Sequence, residues 1–177
     1  HGNPVAALYC ERCGKALHAA ERDPLVGQTI AGRYHLVDRI GQGTAGTLYR
    51  AEHVTLRRKM AVKLLHKHLA ISDDAVERFR REAITVCEIY NDHIPQVHDF
   101  GRAEDGRLFF AMEFLEGESL AGLLGREGRL SVERTVDNLT QLGESHMEAH
   151  TLGYVHRDQR PRSIFLNKRR RRPDFVK

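Results

Sequence analysis

Two mostly hydrophobic runs flank a glycine-rich stretch near the start of the chain. Tyr34, Leu36 and Ile40 lead into Gly41–Gly46, and further apolar residues lead away from it. Strand-forming residues on both sides of a short glycine-rich stretch indicate two strands joined by a turn. The pattern therefore predicts a β-hairpin, followed by an apolar strand that carries Lys63.

The next hydrophobic pattern is helical. Asp74 and Glu77 have the spacing of a capping box, and apolar residues then recur at steps of three and four. This predicts an amphipathic helix that starts near Ser72, with Cys87 as a core residue. The apolar stripe comprises Val76, Phe79, Ala83, Val86, Cys87 and Tyr90.

The second half of the chain predicts a strand pair and two helices. The strands are expected at Ile94–Phe100 and Leu108–Met112, and a short helix at Ser119–Leu124. Ser131 then caps a longer helix that ends near Gly153. The apolar positions of that longer helix are Val132, Val136, Leu139, Leu142 and Met147.

The glycine-rich turn and Lys63 suggest the first chemistry. Gly41, Gly43 and Gly46 let the backbone approach a bulky anion, because no Cβ stands in the way. Backbone N–H groups of such a turn can face phosphate oxygens. A lysine in an apolar strand costs free energy unless it meets an anion. Phosphate binding accounts for both features.

The context of the glycines separates two kinds of phosphate site. A dinucleotide site would need a helix that opens at the glycines, whereas strand formers follow them here. Gly41–Leu48 with the downstream Ala61–Lys63 instead resembles the glycine-rich loop and third strand of protein kinases. The resemblance implies that Glu82 turns inward to pair with Lys63, which would place the ammonium on the α- and β-phosphates. The alternative is that Glu82 is a carboxylate on the helix surface.

Two further segments bear on the same family. Met112–Gly117 resembles the gatekeeper and hinge, whose backbone would bind the adenine edge. Asp99–Gly101 spells the magnesium-binding triplet of kinases, but it lies before the catalytic loop, whereas the family has it after. We therefore expect Asp99–Gly101 to be structural.

A segment similar to the kinase catalytic loop begins at His156–Asp158 and runs into an apolar strand at Ile164–Leu166. By this resemblance Asp158 is the catalytic base for a hydroxyl group. Two positions depart from the family. Arg160 replaces a lysine and has a larger, planar head, and Ser163 replaces an asparagine at the second magnesium position. These departures leave open a weakly active or inactive nucleotide binder.

All these motifs stand in the order of the family, and their details are most similar to bacterial serine/threonine kinases of the eukaryotic (Hanks) type. The resemblance implies an α+β fold. Residues 31–115 would form the small lobe, an antiparallel sheet with one regulatory helix. Residues 116–177 would form the first helices and the catalytic loop of the large lobe, so that the kinase domain is incomplete.

The same resemblance implies Mg²⁺-dependent transfer of the ATP γ-phosphate to serine or threonine hydroxyls of a protein substrate. The residues implied in catalysis are Asp158, Lys63, Glu82 and Arg160. The residues implied in nucleotide binding are Ile40, Gly41, Gly43, Gly46, Leu48, Ala61, Lys63, Met112, Glu113, Leu115 and Phe165.

The last residues lead us to expect a fragment. Phe175–Lys177 predicts a strand, and Asp174 before it is close to the position of the family's Asp-Phe-Gly triplet, but Val176 stands where that triplet has glycine. We expect the chain to end just before the true triplet and to be inactive, or nearly so, on its own. The rival interpretation is a pseudokinase-like scaffold.

Residues 1–30 are expected to form a separate piece and a linker. Cys10 and Cys13 have the spacing of half a zinc site, and His18 is a candidate third ligand. A partial zinc ribbon that binds Zn²⁺ is the favoured interpretation. A reduced pair without metal and a redox pair are the alternatives, and nucleic-acid binding through this segment is a further one.

Composition, charge and cysteine content argue against several classes of protein. The chain has 41% hydrophobic and 29% charged residues, ordinary values for a globular protein. Arg169–Arg172 alone account for the net charge of +4, so no nucleic-acid partner is expected, and the run is interpreted as a solvated turn. No apolar run is long enough for a membrane span. Three cysteines without a disulfide framework favour a cytoplasmic location.

Overall fold

The computed structural model describes residues 23–168 and 174–177. These residues fall into two compact units. The first, here called the sheet unit, comprises residues 23–88 and 96–114. The second, here called the helical unit, comprises residues 89–95, 115–168 and 174–177.

The sheet unit contains a six-stranded antiparallel sheet in the spatial order β1-β2-β3-β4-β6-β5. Its core lies on one face, where Leu36, Tyr49, Val62 and Phe109 are almost fully buried. The predicted hairpin, the strand that carries Lys63 and the later strand pair are therefore all present. The strands are β1 (Thr29–Ile30), β2 (Tyr34–Gln42), β3 (Gly46–His53), β4 (Lys59–Leu65), β5 (Val97–Arg102) and β6 (Leu108–Glu113).

One helix, α1 (Asp73–Glu88), lies against the other face of this sheet. Phe79 and Ala83 are its buried residues, as the period of the stripe predicted. The prediction was wrong for the end of the stripe: Cys87 is exposed, and Tyr90 lies beyond the helix and is also exposed. The helix ends at Glu88, so Tyr90 cannot continue its buried face.

Strand β5 begins three residues later than predicted. Pro95 has no N–H to donate to a ladder, so strand pairing begins only after it. The residues before it form a turn instead, in which the His93 N–H donates to the Asn91 side chain (2.8 Å) and the Ile94 N–H to the Asn91 carbonyl (3.1 Å).

The Asp99–Gly101 triplet has a structural environment. The Tyr34 hydroxyl donates a hydrogen bond to Asp99 (2.8 Å), and Arg33 forms an ion pair with the same carboxylate (3.0 Å). Burial, together with this hydrogen bond, raises the pKa of Tyr34. A Cβ at Gly101 would lie 3.1 Å from the Phe109 ring. These contacts support the structural interpretation of the triplet.

The helical unit has two helices, α2 (Leu120–Glu127) and α3 (Val132–Thr151), and a small sheet. Ser119 and Ser131 cap the helices, because each hydroxyl accepts from a backbone N–H in the first turn. The core of the unit contains Leu123, Ile164 and Val176. The sheet has the order β7-β8-β9, with β7 (Gly117–Ser119), β8 (Phe165–Asn167) and β9 (Phe175–Val176).

Helix α3 has the predicted extent, but of its predicted apolar positions only Leu142 packs against the core of the unit. Val132 and Leu139, expected in the core, are 75% and 58% exposed. The buried side chains are the polar Asn138, Gln141 and Ser145. The Gln141 amide explains the choice of face, because it donates to the Asp174 carbonyl (3.0 Å) and accepts from the Val176 N–H (3.1 Å).

The proposed boundary between residues 30 and 31 stays a prediction. Within the described residues, β1 pairs with β2 and Leu25 packs on the core of the sheet unit. Asp23 accepts a hydrogen bond from Tyr49 (2.9 Å) and lies 3.6 Å from Arg39. Residues 23–30 therefore belong to the sheet unit. Across the described ranges, none of the helices is both long and apolar enough to cross a membrane.

Candidate functional site

The glycine-rich turn joins β2 to β3. Gln42 pairs with Thr47, and the Gly43 N–H donates to the Gly46 carbonyl (2.9 Å), which closes the turn. A Cβ at Gly46 would lie 2.5 Å from the carbonyl oxygen of Leu64 in β4. Packing within the protein therefore requires glycine at position 46.

The other two glycines of the turn have space around them. A Cβ at Gly41 would approach Leu48 no closer than 3.8 Å, and a Cβ at Gly43 would approach Gly46 no closer than 3.8 Å. Both distances are ordinary van der Waals contacts, and neither residue has a positive φ. The fold alone does not explain why these two positions are glycine.

Lys63 and Glu82 form an ion pair. The Lys63 ammonium lies 2.5 Å from the Glu82 carboxylate, and it also lies over the rings of Phe79 (5.9 Å) and Phe110 (5.6 Å). Strand β4 pairs with β6 and α1 packs on that part of the sheet, so these elements bring the two charges together. Glu82 thus pairs with Lys63, as the resemblance implied, while 44% of its side chain stays exposed.

The remaining residues expected at the nucleotide differ in exposure. Ile40 is 40% exposed although it is apolar, Leu48 is half-buried and Ala61 is buried. At the end of β6 the Glu113 N–H donates to the Gln96 carbonyl (2.9 Å), and the Glu113 carboxylate accepts from the Gln96 N–H (2.9 Å). The Glu113 N–H is thus engaged within the sheet unit.

Met112 completes the expected set in the sheet unit, at the end of β6 and partly buried against the core beside α1. Leu115 and Phe165 belong to the helical unit. Phe165 is in β8, where its backbone exchanges two hydrogen bonds with Lys177 (2.8 Å each). Its side chain is half-buried.

The expected catalytic loop has a strained backbone at one residue. Arg157 has φ +61°, a left-handed conformation that is unusual for a residue other than glycine. The Asp158 N–H donates to the His156 carbonyl (2.9 Å). The Ala121 N–H of α2 donates to the Pro161 carbonyl (2.9 Å), which ties the loop to that helix.

Asp158, Arg160 and Ser163 lie together in this loop. The Arg160 guanidinium forms an ion pair with Asp158, and both side chains are more than half exposed. The Ser163 hydroxyl accepts from the Arg160 N–H (3.1 Å) and donates to the Arg160 carbonyl (2.9 Å). Ser163 therefore closes the loop, and its proton and one lone pair are already used.

Asp174 is paired with an arginine of α3. Arg134 of α3 contacts both of its carboxylate oxygens, one of them at 2.8 Å, and the Asp174 side chain is only 6% exposed. The Arg134 guanidinium holds the pKa of Asp174 below its usual value. This pairing supports the expectation that Asp174–Val176 is not the magnesium-binding triplet.

The zinc and magnesium sites expected from the sequence stay predictions. Cys10, Cys13 and His18 lie outside the described residues. In residues 23–168 and 174–177, no group of three or more histidine, cysteine, aspartate or glutamate side chains is placed to hold a metal ion. Ser163 has little bonding capacity left, so the described residues do not by themselves make a magnesium site.

Sequence reasoning missed three functional or structural contacts. Two of them are the Arg134–Asp174 ion pair and the hydrogen bonds of the Gln141 amide to the backbone of Asp174 and Val176. They join residues 33 to 40 positions apart, for which no local signal exists. The third contact is that of His66, whose Nε2 bonds to the Gly43 carbonyl (2.9 Å). A histidine directly after the apolar strand was the available signal.

Comparison with known proteins agrees with this arrangement. The family model described as protein kinase domain matches residues 34–177. The chain is 38% identical over 162 residues to serine/threonine-protein kinase pkn3 of Myxococcus xanthus, a match that covers 91% of this chain and 29% of the relative. It is 38% identical over 147 residues to serine/threonine-protein kinase PknA of Mycobacterium tuberculosis, covering 81% of this chain and 34% of PknA.

Solved structures give the same result for the fold. The crystal structure of the Mycobacterium tuberculosis PknI kinase domain matches with a TM-score of 0.67 and 28% identity, over 81% of this chain and 59% of that one. The chain spans about a third or less of the curated relatives it matches. The protein-kinase-like fold expected from the sequence is thus confirmed.

Proposed function

The chain belongs to the protein kinase domain family, and we propose that it binds ATP for transfer of the γ-phosphate to serine or threonine hydroxyls of a protein substrate. The observation that carries the proposal is the ion pair between Lys63 of β4 and Glu82 of α1. The serine/threonine kinase relatives, both bacterial, support the choice of acceptor.

The glycines support nucleotide binding independently of the resemblance. Gly46 is required by packing, whereas Gly41 and Gly43 are not. A glycine that the fold does not need lowers stability through its unfolded-state entropy. Close approach of a phosphate to the backbone gives a reason to retain it. Exposed Ile40 on the neighbouring strand supplies an apolar surface of the kind a base requires.

The charged residues have distinct roles in this proposal. Lys63 would hold the phosphates, with Glu82 fixing its ammonium. Asp158, whose side chain is more than half exposed, would accept the proton of the substrate hydroxyl. Arg160 would keep positive charge near the γ-phosphate, where negative charge is stabilised during transfer. ATP supplies the phosphoryl group when it is bound.

Kinases of this family use Mg²⁺ with ATP, and the described residues do not complete a site for it. Ser163 has committed its hydroxyl to the Arg160 backbone. We therefore assign no step to the metal. Zn²⁺ at Cys10 and Cys13, a cytoplasmic location and the absence of a nucleic-acid partner remain parts of the proposal that rest on the sequence alone.

The test combines binding and transfer. Binding is measured by titration with the fluorescent analogue mant-ATP, and transfer with radiolabelled ATP and a generic protein acceptor, in this chain and in any longer product of its gene. Lys63→Met should weaken binding by about tenfold or more, since it removes the charge that meets the phosphates. Asp158→Asn should keep binding and lose transfer. Lys67→Met, which removes an exposed lysine nearby, is the matched control.

Two outcomes contradict the proposal in different ways. Absence of mant-ATP binding by the unmodified protein would exclude a nucleotide site. Binding without transfer, persisting after Arg160→Lys and Ser163→Asn are combined, would favour the scaffold interpretation. The engaged hydroxyl of Ser163 is the observation that keeps this second function under test.

A further inference from the structure

The return side of the glycine-rich turn is fixed against β4. Gly46 pairs with Leu65, and its Cα lies so close to Leu64 that a Cβ would meet the Leu64 carbonyl oxygen at 2.5 Å. Ala45, one residue earlier, packs partly buried beside the core under α1. The tip of the turn, Gly43–Ala45, lies outside the strand ladder and needs other contacts to hold it.

His66, directly after β4, supplies contacts to both sides of this tip. Its backbone N–H donates to the Ala45 carbonyl (3.0 Å), and its ring nitrogen Nε2 bonds to the Gly43 carbonyl (2.9 Å). A carbonyl can only accept, so Nε2 carries the proton of this bond. The imidazole also stacks on His68, with ring centroids 5.4 Å apart and planes at 15°.

These two bonds determine where the amides of the turn point. A trans peptide is planar, and its C=O and N–H groups point in opposite directions; the described chain has no cis peptide. Holding the Gly43 carbonyl toward His66 therefore turns the Thr44 N–H away from it. Holding the Ala45 carbonyl in the same way turns the Gly46 N–H away from β4.

We propose that His66 is a positioning residue for nucleotide binding, because it pulls the Gly43 carbonyl inward and so presents the Thr44 N–H to a phosphate oxygen. This inference rests on the proposed function. An unheld tip would rotate its peptide planes, and a carbonyl facing the phosphate would repel it. The side chain of His66 thus acts on the ligand through the backbone of the turn.

Four variants test the role of the ring nitrogen. The side chain introduced by His66→Gln carries an N–H donor the same number of bonds from the backbone as Nε2. The donor introduced by His66→Asn is one bond closer to the backbone and too short to reach, and His66→Ala introduces no donor. His68→Ala removes the stacked ring but leaves both bonds from His66 possible. Every variant at His66 keeps the backbone N–H of that position, so one hydrogen bond is changed at a time.

The first readout is hydrogen exchange without nucleotide, in a peptide that covers Gly41–Leu48. His66→Ala and His66→Asn should exchange faster in this peptide than the unmodified chain, and His66→Gln should be restored. The second readout is the dissociation constant of mant-ATP. We expect it to rise by roughly three- to tenfold in His66→Ala and His66→Asn, the effect of one lost hydrogen bond, and to change less than about twofold in His66→Gln and His68→Ala.

The results separate this inference from the proposed function. Unchanged exchange and affinity in His66→Ala, or a loss that His66→Gln does not restore, would overturn the role of His66. If the unmodified chain binds no mant-ATP, the proposed function fails and exchange alone decides. Faster exchange in His66→Ala then supports the conclusion that the His66 ring holds the turn in place, and equal exchange overturns that conclusion.

Discussion

Gly43 and Gly46 lie three residues apart in one turn, but the reasons for glycine differ. At Gly46 a methyl group would collide with the backbone of Leu64, which cannot move without disturbing β4. At Gly43 the same methyl group would meet only ordinary contacts. Substitution by alanine at each position should therefore separate folding from binding.

We predict that Gly46→Ala lowers the free energy of unfolding by roughly 1–3 kcal/mol, the usual cost of forcing an extra group into packed structure. Gly43→Ala should leave stability unchanged or slightly higher, since alanine restricts the unfolded chain. It should weaken mant-ATP binding, because its Cβ occupies space a phosphate needs. Urea denaturation and fluorescence titration of the two variants check this. Equal stability of both variants would contradict the packing argument.

Individual residues of the site differ in how far the sequence could identify them. Lys63 stands out as a cation in an apolar strand, and the spacing of α1 allows Glu82 to face it. His66 does not stand out, because its bond to Gly43 depends on how the turn folds over the end of β4. Sequence identifies charge in an unusual place more readily than it identifies a backbone contact.

Among the elements, α3 shows where hydrophobic periodicity misleads. Its caps and length followed from Ser131 and Gly153, yet its buried side chains are polar, and Leu142 alone of the predicted apolar positions packs against the core. Gln141 determines this, because its amide replaces the strand partner that the backbone of β9 lacks on that side. Such a contact joins residues 33 to 35 positions apart, so local periodicity cannot reveal it.

The two hydrogen bonds of the Gln141 amide lead to a prediction about this helix. Gln141→Leu should destabilise the helical unit by roughly 2–4 kcal/mol, because the buried Val176 N–H and Asp174 carbonyl would each lose a partner. Leu139→Gln, on the exposed side of α3, should change stability by less than about 0.5 kcal/mol. Chemical denaturation of the two variants decides between the faces. A larger loss for Leu139→Gln would restore the face predicted from periodicity.

The same unit should show an acid-dependent stability that comes from Asp174. Arg134 lowers the pKa of the folded carboxylate below its unfolded value, so the unfolded state binds the proton more readily. The stabilisation is present above the unfolded pKa, near pH 4. It is lost as pH falls through the lower folded pKa.

Asp174→Asn should therefore destabilise the unit at pH 6, by roughly 1–3 kcal/mol given that Arg134 is one-third exposed. It should also lose less stability than the unmodified chain between pH 6 and pH 3. Glu127→Gln removes the more exposed partner of the same arginine and serves as control, with a smaller expected effect. Parallel stability curves for Asp174→Asn and the unmodified chain would show that the pair does not titrate as described.

For the molecule as a whole, the order of the motifs along the chain carried more information than any one motif. A glycine-rich turn alone fits several folds, but the turn, Lys63, Glu82 and Asp158 in this order fit one family, which the comparisons then showed. The existence of two compact units also agrees with the expected lobes. The order of the motifs does not reveal which residue each side chain contacts. For this reason the burial predicted for parts of α1 and α3 was wrong.

A nucleotide that binds the folded protein must stabilise it, and the two units give this prediction spatial detail. At about a hundredfold excess over its dissociation constant, a ligand adds about 2.7 kcal/mol to the stability of what it binds. A chain of two units need not unfold in one step, so a single melting midpoint would average the stabilities of both units.

Hydrogen exchange should instead be measured peptide by peptide, and ATP should slow exchange in the sheet-unit segments that carry Gly41–Leu48 and Lys63. Sulfate at matched ionic strength should not reproduce the effect, and Lys63→Met should reduce it. Equal protection by ATP in Lys63→Met would mean that the nucleotide binds elsewhere than at this lysine.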